Sequence, residues 1–129
     1  MAGTIIADTL THSTAGSVTT DYVVNGSAKV WANIQGSGTA AIDNSLNASG
    51  LVDNSTGNYT LSFTNSLSNV VYAPTMGGRQ SGANIANTFA DGPSNMLTGS
   101  VVIKGYNNDA SPAARDYDPV IIQISGDLA

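Results

Sequence analysis

The chain has 129 residues, of which 4 are Lys or Arg and 9 are acidic, giving a formal net charge of −5. Charged residues make up 10% of it, against about 25% in an ordinary soluble domain. Ser, Thr, Asn and Gly supply 55 of the 129 residues and favour strands, caps and turns, which argues against an all-α protein. Four scattered cations also argue against a nucleic-acid binder of the usual kind, because they cannot neutralise a run of phosphates.

Period-two alternation of apolar and polar residues is the main structural signal along the chain. It predicts strands at residues 28–34, 58–64, 101–106 and 120–124, and weaker ones at 4–10, 38–42, 46–52, 70–75 and 84–89. Clusters rich in Asn, Asp and Gly separate them at residues 35–38, 53–58, 91–95 and 107–109. Short strands at this spacing predict an all-β fold, an antiparallel β-sandwich or a jelly-roll-like single domain.

One domain is expected over residues 1–129, with an N-terminal strand or arm at 1–25, a central part at 26–75 and C-terminal strands with long loops at 76–129. Two segments fit the strand pattern less well: the first is predicted to be an extended excursion or a long loop, and the second a loop. Residues 74–94 are rich in Gly with few large apolar side chains, and residues 111–119 carry two prolines and three charged residues. Long loops are uncommon in compact domains unless they are functional, so these are interpreted either as surface loops or as intersubunit contacts.

The residues needed for catalysis are scarce. There is no Cys, and His12 is the only His, so a Ser-His-Asp triad would have to use it. Asp43, Asp53, Asp91 and Asp116 could form a carboxylate pair for glycoside hydrolysis, yet each lies in a turn cluster, where Asp commonly caps backbone N–H groups. We therefore expect that the chain is not an enzyme and that it binds no cofactor. No apolar run approaches a membrane span, and the start lacks the features of a signal peptide.

Calcium is the ion that the composition fits best, although no metal site is predicted. Asp53, Ser55 and Gly57 resemble half of a calcium loop, but the bidentate acid at its end is missing because the chain has no Glu. Asp116 and Asp118 form a second candidate cluster. For both, a solvated turn is the alternative.

Trp31 is the chain's one Trp. Alternation places it on the strand face opposite Val30, Ala32 and Ile34, so it is expected to point away from their side of the sheet. Three interpretations stay open for its ring: a second layer of core, an interface with a neighbouring subunit, or a platform on which a sugar stacks.

Residues 25–74 carry a series of short motifs. In order they are Asn25-Gly26-Ser27-Ala28-Lys29-Val30-Trp31, Gly36-Ser37-Gly38, Ile42-Asp43-Asn44-Ser45-Leu46-Asn47-Ala48-Ser49, Thr56-Gly57-Asn58-Tyr59-Thr60-Leu61-Ser62-Phe63 and Val71-Tyr72-Ala73. The series resembles a β-rich module of tailed-bacteriophage virion structural proteins, among them tail-fibre-like and capsid decoration proteins. The resemblance implies a β-rich, trimeric virion component in which Trp31, Tyr59 and Phe63 are core or interface residues.

These observations lead to the hypothesis of a capsid decoration (cement) or short head-fibre protein on the virion surface. It would be made in the host cytoplasm, form a homotrimer and contact the major capsid protein or other virion proteins. The alternative is a tail-fibre or spike tip that binds a host receptor or surface glycan. No contact with nucleic acid and no membrane insertion are expected. The candidate interface or ligand-platform residues are Trp31, Tyr59, Tyr72, Arg79 and Arg115.

Overall fold

The structure, a computed structural model, describes Gly3, residues 6–79 and residues 86–129. These ranges contain eleven strands, one helix and one 3-10 turn (Pro93–Asn95). The strands and helix are β1 (Thr9–His12), β2 (Gly16–Thr19), α1 (Thr20–Gly26), β3 (Ala28–Gln35), β4 (Ala41–Leu46), β5 (Ala48–Ser55), β6 (Asn58–Phe63), β7 (Ala73–Gly78), β8 (Ala86–Ala90), β9 (Met96–Leu97), β10 (Ser100–Asn107) and β11 (Val120–Ser125).

Nine of the strands form two antiparallel sheets. A four-stranded sheet has the order β4-β3-β11-β7, and a five-stranded sheet has the order β5-β6-β10-β8 with β9 added beside β10. The strands β1 and β2 form a separate hairpin before them. The prediction of an all-β, antiparallel sandwich is therefore confirmed.

The core lies between the inward faces of the two sheets. Along β3, β6, β10 and β11, every second residue is buried, as the alternation predicts. The buried apolar residues are Val30, Ala32, Ile34, Tyr59, Leu61, Phe63, Leu67, Tyr72, Val101, Ile103, Tyr117, Val120, Ile122 and Ile124. For those that lie in strands, pairing buries the side chains together because a period of two puts one whole set on the same face of a sheet; Leu67, Tyr72 and Tyr117 are buried from segments outside the strands.

Two neighbouring isoleucines on β11 give a direct test of which face is buried. Ile122 is 3% exposed and Ile121 is 51% exposed. We expect Ile122→Val to lower the free energy of unfolding by about 1 kcal/mol, because removing a buried methyl group leaves a small cavity in the core. Ile121→Val should change it by less than about 0.5 kcal/mol. Urea unfolding of both variants measures the difference, and equal effects would contradict the assignment of faces.

The N-terminal region differs from its prediction. The expected strand at 4–10 begins only at Thr9, and residues 4 and 5 lie outside the described residues. A hairpin and the helix α1 follow, neither of which the sequence predicted. The helix has seven residues and no buried side chain, so it lacks the repeated apolar face that reveals a longer helix.

The predicted strand at 46–52 is split by Asn47. This residue has φ 58°, in the left-handed region that Asn tolerates. Its Oδ1 accepts hydrogen bonds from the backbone N–H of Asn65 (2.7 Å) and from the Asn65 side-chain amide (3.2 Å). Because β4 belongs to the four-stranded sheet and β5 to the five-stranded one, Asn47 is the point at which the chain crosses between sheets.

The interpretation of residues 74–94 as one long loop is wrong for the described part. β7 pairs with β11, and β8 pairs with β10; residues 80–85 lie outside the described residues. β7 is an edge strand, where Pro74 is tolerated because one side of the strand makes no ladder hydrogen bonds. By contrast, residues 111–119 are a loop as predicted, with a single bridge between Tyr106 and Ala114.

Candidate functional site

The outward face of the four-stranded sheet carries a shallow groove. Trp31 on β3 lies opposite Gln123 on β11, which in turn lies opposite Thr75 on β7. The next row along the strands is Asn33, Ile121 and Gly77. These six residues line a groove of about 340 Å³, at the lower end of the size range of small-molecule sites.

Gly77 leaves room for Ile121 within this groove. A Cβ at Gly77 would come 3.3 Å from Ile121 Cγ1, so the isoleucine side chain occupies the space beside the glycine. On the other side, Leu46 is directly opposite Trp31 on β4 and is 48% exposed. The part-exposed indole of Trp31 therefore has an apolar neighbour on one side and polar ones on the other.

The polar groups around the indole are uncharged. Among the described residues that line the groove, none is Asp, Lys, Arg or His. Lys29 precedes Trp31 by two positions, but its ammonium donates to the Val24 carbonyl, to the Ser27 carbonyl (3.0 Å) and to the Ser27 hydroxyl (2.7 Å). Asn33 Oδ1 is buried and has no hydrogen-bond partner in the described part of the chain.

Tyr59 and Tyr72, two of the candidate interface or ligand-platform residues, are in the core. Tyr59 is 0% exposed and Tyr72 is 7% exposed. Tyr59 faces inward because it belongs to the buried set of β6, and Tyr72 packs edge-on against Phe63 with ring centroids 6.3 Å apart. In this fold neither ring can serve as a ligand platform, which corrects that assignment.

Arg79 and Arg115 have exposed side chains at loop positions. Their backbones are fixed: Arg79 N–H donates to the Pro119 carbonyl (3.0 Å), and Arg115 N–H donates to the Gly105 carbonyl (3.0 Å). Within the described ranges the only ion pair is Lys104–Asp91 at 3.5 Å. The two guanidinium groups are therefore available at the surface, outside the Trp31 groove.

The carboxylate of Asp116 holds one end of the sandwich together. Its Oδ1 accepts a hydrogen bond from Gly57 N–H (2.6 Å) and lies 2.6 Å from the Tyr59 hydroxyl. That hydroxyl is also 2.7 Å from the Gly36 carbonyl. Asp118 accepts from the Ser37 hydroxyl at 3.3 Å. Asp116 thus joins the β5–β6 turn to the 111–119 loop through protein groups.

The first calcium candidate also has a structural explanation. Asp53 and Ser55 lie within β5, and Asp53 is directly opposite Tyr59 on β6. Gly57, with φ +62°, makes the turn between the two strands. The described residues contain no group of three or more His, Cys, Asp or Glu placed to hold a metal ion.

His12 closes the turn between β1 and β2. Its Nδ1 accepts hydrogen bonds from the backbone N–H groups of Thr14 (3.2 Å) and Ala15 (3.0 Å). The imidazole is exposed, and its neighbours belong to the same hairpin. This geometry assigns the ring a local role in shaping the turn.

The outward face of the five-stranded sheet carries a pair of stacked aromatic rings that the sequence does not predict. Phe89 on β8 and Tyr106 on β10 stack with their ring centroids 5.8 Å apart and their planes 11° apart. Phe89 is 40% exposed. Both rings lie in predicted strands, but nothing in the sequence indicates that β8 pairs with β10, so the stack could not be expected.

The N-terminal arm (residues 6–27) contains no buried residue. It exposes Ile6 (93%), Tyr22 (74%), Val24 (58%), Leu10 (45%) and Val23 (44%). In the described part of the chain, no helix is long and apolar enough to cross a membrane.

Comparisons with protein-family models, with curated proteins and with solved structures found no match.

Proposed function

We propose that this chain is a structural protein of a tailed-phage virion, a capsid decoration (cement) or short head-fibre protein that assembles into a homotrimer on the virion surface. The resemblance of residues 25–74 to modules of tailed-phage virion proteins supports the proposal that this chain comes from a virion. The low charge supports the role, because a surface of Ser, Thr and Asn can pack against copies of itself at little electrostatic cost. Its partners are further copies and the major capsid protein.

The observation that carries this proposal is the N-terminal arm. A lone two-stranded hairpin is at best marginally stable in water, and so is an isolated helix as short as the seven residues of α1. The arm nevertheless presents large apolar side chains that the described part of the chain leaves exposed. A partner surface that covers them would stabilise both the hairpin and the helix, which is what assembly on a shell or within a trimer provides.

Few charges oppose such contacts. From residue 6 to residue 27 the only ionisable side chains are Asp8, His12, Asp21 and Tyr22. When symmetric copies bring the same patch together, like charges face one another. An arm with so few charges avoids most of that repulsion.

Variants of the arm test the homotrimer. We expect wild-type protein to have the mass of a trimer by light scattering. The pair Leu10→Thr and Val24→Gln, combined in one chain, should weaken association at least tenfold because both apolar contacts are lost. The matched control is Val52→Thr, a comparably exposed valine (54%) on β5, which should leave the mass unchanged. A monomeric wild type, or an unchanged mass in the arm variant, would contradict the proposal.

The location on the particle is tested separately. Gold or nanobody labelling of the chain in purified particles should decorate the head surface. Labelling confined to the tail tip would refute the decoration role and favour the second candidate, a receptor- or glycan-binding tip. The outward Trp31 favours that second candidate. In both cases we propose a binding role without catalysis.

A further inference from the structure

We propose that the groove beside Trp31 is a binding site for a neutral sugar, with a pyranose ring stacked on the indole. This inference stands apart from the assembly proposal, because the groove lies on the four-stranded sheet and the arm supplies none of its lining residues. A decoration protein and a tip protein could each carry such a site.

The indole of Trp31 offers a stacking surface for a pyranose ring. A Trp side chain combines a broad apolar surface with one N–H donor, which suits ligands that are apolar on one face and polar at the rim. A pyranose has this character, since its C–H groups gather on one face and its hydroxyls project around the ring. The ring of Trp31 is held at a central position of the sheet, because β3 is paired on both sides, and its backbone is therefore rigid before binding.

Neutral polar side chains lie beside the indole in the groove. Asn33, Thr75 and Gln123 provide amide and hydroxyl groups that both donate and accept, as sugar hydroxyls do.

The absence of charge among the described lining residues selects against other ligands. A phosphate or carboxylate would find no cation in the groove, because the Lys29 ammonium is engaged by Val24 and Ser27. A stable protein partner needs about 800 Å² on each side, with apolar anchors at its centre. Around this groove the exposed large aliphatic side chains are only Ile121 and Leu46 among the described residues. A single sugar unit fits the groove better than a second copy of the chain does.

The single Trp makes the test specific, because the indole emission of the chain reports on Trp31 alone. Full-length protein is titrated with the methyl glycosides of glucose, galactose, mannose and N-acetylglucosamine, and screened on an array of neutral glycans. We expect at least one sugar to change the emission in a saturable way, with a dissociation constant of about 1 mM, as few contacts imply.

Variants then locate the site by saturation-transfer NMR with the sugar found. Trp31→Ala and Gln123→Leu should each weaken binding at least fivefold, while Phe89→Ala, on the opposite outward face, should leave binding unchanged. Circular dichroism confirms that each variant folds. Failure of every sugar and array glycan to bind, binding retained in Trp31→Ala, or loss only in Phe89→Ala would overturn the proposal. So would a Trp31-dependent self-association that buries the groove.

Discussion

Replacing Gly57 with alanine should lower the free energy of unfolding by about 3 kcal/mol, the sum of a left-handed backbone and a steric clash. Gly57 has φ +62°, and a Cβ there would come 2.7 Å from the Arg115 carbonyl oxygen and 2.8 Å from the Arg115 nitrogen. It would also meet the carbonyl oxygen of Gly105, which accepts the Arg115 N–H. These three nearest atoms all belong to the backbone, so we expect the 111–119 loop to move and the Asp116 hydrogen bond to Gly57 to be lost.

Gly38→Ala is the matched control. Gly38 has φ +73°, and a Cβ there would meet nothing within 4 Å. It should therefore cost only the backbone term, about 1 kcal/mol. Urea unfolding at neutral pH measures both variants. Equal losses of unfolding free energy in the two variants would show that Gly57 matters for its backbone conformation alone. The hydrogen bonds of Asp116 to Gly57 and Tyr59 would then contribute nothing to stability.

Raising the pH above 10 should unfold the protein steeply. Burial, a hydrogen bond to Asp116 and the charges of Asp116 and Asp53 raise the pKa of Tyr59. Burial raises the pKa of Tyr72 to about 12 and also raises that of Tyr117. In the unfolded chain these hydroxyls ionise near pH 10. Between that pH and the folded pKa values, the native state holds more protons, so the free energy of unfolding falls as pH rises.

With three such tyrosines the slope approaches about 4 kcal/mol per pH unit when all three contribute. Below pH 10 the contribution is complete and stability should not depend on these groups. The urea midpoint measured between pH 9 and pH 12 gives the slope. Tyr72→Phe removes one of the three groups and should make the decline shallower by about 1.4 kcal/mol per pH unit. An unchanged slope in this variant would show that Tyr72 ionises equally well in both states.

The core strands could be predicted because local pattern determines them. Tyr59, Leu61 and Phe63 alternate with polar residues, and the structure buries all three. The order of the strands within the sheets could not be predicted, because β3 pairs with β11 through contacts between distant residues. Similarly, β7 escaped clear detection since an edge strand needs few apolar side chains, and its Pro74 and paired glycines are typical of loops.

Of the residues that line the groove, the sequence predicts only Trp31 as a candidate for ligand binding. Alternation on β3 is sufficient to turn Trp31 outward, as the structure shows. Thr75 and Gln123 join it only through the register of three strands, which no local pattern contains. Tyr59 and Tyr72 were also named as interface or ligand-platform candidates, because aromatic residues in a sequence poor in aromatics can serve either the core or a binding face; the structure places both in the core.

The position of β11 has a consequence for synthesis on the ribosome. This strand lies between β3 and β7, so only the β3–β4 ladder of the four-stranded sheet can form before residues 120–125 emerge. Until then the edges of β3 and β7 that pair with β11 in the finished sheet have no partner, in a chain with few charges to keep copies apart. Pairing across such a sequence separation is slow, so we expect the four-stranded sheet to be completed late in folding.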